Sequence, residues 1–133
     1  MIKIQHRVNT RESLKMVSPY YGAEIDIRYH NNDLILSHDP FHHHEKEQEY
    51  LDDFLAHYRL QGPLILNVKT EGIEERCLDL LNKYHIENFF FLDISMPYFV
   101  RYAKYKPILK HMAVRFSEHE PLEYALSFAG DVD

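Results

Sequence analysis

The feature that most constrains this chain is a repeated alternation of short apolar runs with helical patterns. Ile2-Lys3-Ile4-Gln5-His6 precedes a helical stretch from Arg11 to Ser18, and the run from Ala23 to Arg28 follows it. Asn31-Asn32-Asp33 marks a hairpin into Leu34-Ile35-Leu36-Ser37-His38. Further on, a helix is predicted from about Glu45 to Leu60 before a strand from Pro63 to Lys69. A helix from about Ile73 to Tyr84 comes before Phe89 to Ile94, and a segment from Pro97 to Tyr105 before Met112 to Phe116. The last helix, from about Pro121 to Phe128, has proline at its first turn and Gly130 just past its end. Strand and helix alternating this often imply a parallel sheet covered by helices, either doubly wound or a barrel. No glycine-rich loop follows the first strand, where a dinucleotide fold needs one, and that favours the barrel.

A full (β/α) barrel needs roughly 250 residues, and this chain has 133, so it is expected to form a single α/β domain (1–133) with roughly five or six of the eight strands. The expectation is a partial or truncated parallel barrel of the TIM type. Its uncovered sheet edges would favour homo-oligomer formation, and turnover by the isolated chain would be low. Hydrophobic residues make up 45% of the sequence, enough for a real core.

The formal charge of −6 offers no basic field, so nucleic acid is not expected as a partner. Met1 leads directly into Ile2-Lys3-Ile4 without a charged and apolar leader, and no apolar run approaches the ~18 residues of a membrane span. A cytoplasmic protein with no membrane span is expected. The single Cys77 lies in a helical pattern and reads as a core residue rather than a disulfide or zinc ligand.

Chemistry-bearing residues gather where strands end. His6-Arg7 closes the first strand; Glu24, Asp26 and Arg28 alternate on one face of the second. His38-Asp39 and Lys69 close the next two. On a helix-covered strand such charges are paired, metal-bound, or set at the carboxyl-end cleft where barrel enzymes keep their active sites. A buried ion-pair network with His6 and His38 as strand caps is the competing reading, although an ordered set at successive strand ends favours a site.

His-Arg, then Glu-x-Asp, then a short hairpin and His-Asp, resembles the glycerophosphodiester phosphodiesterase family and, more distantly, phosphatidylinositol-specific phospholipase C. The resemblance carries motifs from about residue 4 to residue 70 and only architecture beyond. It implies a metal-assisted phosphoric diester hydrolase acting on a glycerophosphodiester or related small phosphodiester. His6 and His38 would be the acid–base pair, Glu24 and Asp26 ligands of Mg2+ or Ca2+, and Arg7 a phosphate clamp; Lys69 matches the lysine of the family's Glu-x-Lys pattern and would also face phosphate. Three positions depart from the family pattern. Val8 stands where glycine is expected, and Asn31-Asn32-Asp33 compresses the usual turn. Asn67 replaces the third metal-binding glutamate, which would weaken the ion, with Glu71 a partial substitute on the same strand face. The alternative is a catalytically silent relative that binds phosphorylated ligands or partners.

His42, His43 and His44 cannot all face one ion from consecutive loop positions and are expected to be solvated, next to Glu45 and Glu47 in the first turn of a helix. Asp93, Ser95, Arg115, Ser117 and Glu118 close later strands and read first as structural. The aromatic residues, Phe89-Phe90-Phe91 among them, read as core packing.

Overall fold

The computed structural model describes residues 1–40, 48–104, 106–115, 117–119 and 121–132. The expectations for His42, His43, His44, Glu45, Glu47 and Phe116 lie outside the described residues. The chain runs β1 (Ile4–Gln5), α1 (Arg11–Met16), β2 (Gly22–His30), β3 (Asp33–Leu36), α2 (Leu51–Ala56), β4 (Leu64–Val68), α3 (Glu74–Lys83), β5 (Phe89–Leu92), α4 (Met96–Tyr102), α5 (Lys106–Leu109) and α6 (Leu122–Leu126).

Five strands form one sheet, with β1, β2, β4 and β5 parallel in that order. The antiparallel exception is β3, a hairpin partner of β2. His30 pairs with Asp33 across the two-residue loop Asn31-Asn32, whose φ values of 48° and 70° are those of a primed turn, so the pattern read from the sequence has its physical basis in two asparagines that tolerate the left-handed region. The Glu24 carbonyl accepts from Val8 and the Asp26 carbonyl from Ser37, so β1 and β3 lie one after the other along the same edge of β2.

Register puts Ala23, Ile25 and Ile27 of β2 beside Leu64, Leu66 and Val68 of β4, all buried under the helices together with Phe91, Phe54, Leu55, Cys77 and Leu81. The opposite face carries Glu24, Asp26, Asn67, Ile65, Phe90 and Leu92; the polar residues are buried, while Ile65, Phe90 and Leu92 are half-buried. Gly22 is needed where β2 begins, since a Cβ there would lie 2.3 Å from the Pro63 carbonyl oxygen.

The sheet is open among the described residues: four parallel strands and one hairpin strand, the lower of the five or six expected. Met112 joins β5 at one position only, through Phe91 N–H to the His111 carbonyl and Ala113 N–H to the Phe91 carbonyl, so the strand expected from Met112 is reduced to a single pairing. Among the described residues the helix expected from Glu45 to Leu60 covers Leu51–Ala56, and the two residues just before it pair instead: Glu49 accepts from Leu36 and Tyr50 lies opposite Ile35. Gly130 has φ +89°, as its helix-stop role requires. Among the described residues no helix is long and apolar enough to cross a membrane.

Glu74 is the buried carboxyl outside the polar face, 1% exposed, with the Tyr102 hydroxyl donating to its Oε2 at 3.2 Å. Burial pushes its pKa above the ordinary glutamate value. The folded state therefore holds this proton more tightly than the unfolded chain does. Its contribution to stability is complete below the ordinary glutamate pKa and is lost as pH rises through the raised one. Glu74→Gln is expected to raise Tm relative to the parent at about pH 8 and to lose that advantage at about pH 4, measured by thermal melts across this range.

Candidate functional site

His6 and Arg7 follow β1, Glu24 and Asp26 lie within β2, Asn67 is the last but one residue of β4, and His38 and Lys69 lie just beyond β3 and β4, so these residues gather on the polar face of the sheet. His6 and Arg7 leave β1 as a kink in which Arg7 takes φ +55° while Val8 returns to the ladder, its N–H on the Glu24 carbonyl at 2.8 Å. The left-handed residue is Arg7 itself, so Val8 at the expected glycine position is not strained by the turn; it is a core residue, 1% exposed. The kink aims the Arg7 N–H at Glu24 Oε2, 2.8 Å away, and leaves His6 Nε2 at 3.5 Å from the same oxygen.

Glu24 and Asp26 are 4% and 0% exposed, so each must be compensated. Glu24 Oε1 accepts from Asn67 Nδ2 at 2.9 Å. Asp26 Oδ2 accepts from Asn9 Nδ2 at 2.9 Å, and the Asp26 backbone N–H donates to Asn9 Oδ1 at 2.8 Å. Asp26 Oδ1 faces the Lys69 ammonium at 3.6 Å, and Lys69 Nζ also lies 3.5 Å from Asp93 Oδ2. Asp93 in turn meets Arg115 at 3.4 Å and holds φ +59°, so the two later strand ends join the same chain of charges. Asn9 was not singled out by the sequence: it lies on no periodic face, and only the fold places its amide against Asp26.

His38 lies beyond the last residue of β3. The Arg7 guanidinium touches its Nε2 at 2.7 Å, and Nδ1 lies 2.9 Å from Asp39 Oδ1. A guanidinium only donates, so Nε2 is the acceptor and Nδ1 carries the proton that is given to Asp39. That hydrogen bond from His38 holds the Asp39 carboxyl below the usual aspartate range. Arg7, a phosphate clamp by the resemblance, thus rests on the lone pair of His38.

Among the described residues no cluster of three or more His, Cys, Asp and Glu side chains could hold a metal ion. The set on the polar face instead contains an amide. Asp26 and Asn67 are opposite each other in register on β2 and β4, and Asp26 Oδ1 and Asn67 Oδ1 are both buried without a hydrogen-bond partner. Two acceptor-only oxygens projecting from adjacent strands fit a hard divalent cation in donor chemistry, with fewer charges than three carboxylates would supply. Glu71 does not complete the set: β4 ends at Val68, and Glu71 is exposed on the turn that follows, where strand alternation no longer applies. Of the remaining strand-end residues, Ser95 has a buried hydroxyl without a hydrogen-bond partner, while Glu118 is exposed beside His119. Compared with protein-family models, curated proteins and solved structures, the chain finds no match.

Proposed function

We propose that this cleft hydrolyses a small phosphodiester, of the glycerophosphodiester type, with His6 and His38 as the proton-transferring pair. The observation that carries the reading is the set of contacts among two imidazoles, two buried carboxylates, Arg7 and Lys69 on the polar face of a parallel sheet. A partial (β/α) barrel of the TIM type belongs to the same reading, supported by the parallel strand order.

Each residue has a task that its surroundings suit. Nε2 of His38 exchanges a proton with a reacting oxygen once Arg7 turns to the phosphoryl group, while Asp39 keeps the ring oriented through Nδ1. Nε2 of His6 serves the opposite oxygen, so that one ring removes a proton from the attacking water or hydroxyl and the other protonates the leaving alkoxide. Arg7 and Lys69 stabilise negative charge gathering on the phosphoryl oxygens. Asp26, Asn67 and Glu24 would hold Mg2+ or Ca2+, which when bound supplies further positive charge to the phosphoryl oxygens.

Slow, divalent-cation-dependent release of p-nitrophenol from bis(p-nitrophenyl) phosphate is the expected result. Binding of a phosphate monoester without turnover would favour instead a catalytically silent phosphate-binding relative, a reading that rests on Asn67 in place of a carboxylate. Absence of both would sink the two together.

Asn67→Glu provides the metal test. The substitution adds a charge beside Glu24 and Asp26, and Mg2+ or Ca2+ affinity is expected to rise about tenfold, read by titration calorimetry. An unchanged Kd would place Asn67 away from the ion.

A further inference from the structure

Arg28 is the third charged residue on the polar face of β2, and the reaction proposed above leaves it unused. Its guanidinium spans two of the neighbours of β2, the segments that follow β3 and β4. Nη2 and Nε donate to the His38 carbonyl oxygen at 2.7 and 3.3 Å, and Nη1 reaches the Lys69 carbonyl oxygen at 3.5 Å. These two carbonyls belong to different strand ends. β3 ends at Leu36 and β4 at Val68, so His38 and Lys69 both lie beyond their strands, on opposite edges of β2. A planar, permanently charged fork is suited to holding two fixed acceptors at once, and its bonds to carbonyls are charge-assisted.

We infer that Arg28 is a positioning residue that sets both His38 and Lys69, acting through their backbone rather than on the substrate. This rests on the phosphodiesterase reading for its kinetic consequence but not for its structural one. With the His38 carbonyl anchored, the imidazole is held where Nε2 meets Arg7 and Nδ1 meets Asp39. With the Lys69 carbonyl anchored, the ammonium is held between Asp26 and Asp93. Lysine at this position would keep the charge and lose the fork.

The test compares the full chain with Arg28→Lys and Arg28→Met. With bis(p-nitrophenyl) phosphate and Mg2+, kcat is expected to fall at least about tenfold in both variants while KM changes by less than about twofold, as displacement of reacting groups without loss of a ligand contact requires. A rise in KM at unchanged kcat would mean that Arg28 touches the ligand, and a loss matching the unfolded fraction would mean a role in stability alone; either overturns the inference. Independently of turnover, the ring nitrogens of His38 in 15N spectra are expected to report the Nδ1-protonated tautomer in the parent and a mixture in both variants. An unchanged His38 tautomer in both variants overturns the inference even if the cleft proves to be a hydrolase. A parent chain without turnover defeats the hydrolase reading, and the 15N result then decides the role of Arg28.

Discussion

Replacing His38 by glutamine is expected to lower kcat on a phosphodiester by about 10²–10⁴-fold, the range removed with a positioned proton-transfer group. Glutamine retains a polar head that can meet the Arg7 guanidinium, but it cannot take up and return a proton near neutral pH. His38 is partly exposed and lies outside the ladder, so thermal stability should change little. His6→Gln is expected to cost a similar factor, and the double variant less than the product of the two, because the rings act in one step. Kinetics with a chromogenic diester check this directly; a loss below about threefold for either single variant would remove that histidine from the reaction.

The largest effect on stability is expected at Phe91. Its ring is fully buried; its backbone pairs with Leu66 on one side, and its N–H and C=O bond to His111 and Ala113 on the other. Phe91→Ala empties a site beneath the helices at the strand that holds the last pairing of the sheet. The expected cost is about 3–5 kcal/mol, the usual range for such truncations, read as a fall in the urea midpoint. A cost below about 1 kcal/mol would mean that the Met112 side of the sheet is not packed in solution as described.

What the sequence made legible was local. The alternation of Glu24, Asp26 and Arg28 against Ala23, Ile25 and Ile27 appears as one polar and one buried face, since a strand imposes that period on any side chains. Asn31-Asn32 forms the hairpin turn and Gly130 the left-handed stop because both depend on backbone preferences of single residues. Partnerships across the fold were less legible. Asn67 stands at a family metal-ligand position, but that its amide N–H donates to Glu24 while Oδ1 has no hydrogen-bond partner is set by the fold alone. Asn9, Asp93 and Arg115 enter the charge network through register and strand-end geometry, which no spacing within one segment encodes. Arg7 shows the same limit: the family pattern puts glycine after it, but the left-handed residue is the arginine itself. The alternation of elements points to a parallel sheet, and it specifies neighbours but not whether the first and last strands of a barrel meet.

The most direct test of the central claim follows the products of a glycerophosphodiester by 31P spectroscopy, with the parent chain and the His6→Gln, His38→Gln double variant at equal Mg2+. The expected result is slow conversion of diester to a phosphate monoester or cyclic phosphate by the parent, and conversion at the buffer rate by the double variant. Equal rates for the two proteins, or a parent rate no higher than buffer, would contradict the assignment of this cleft as a two-histidine phosphodiesterase.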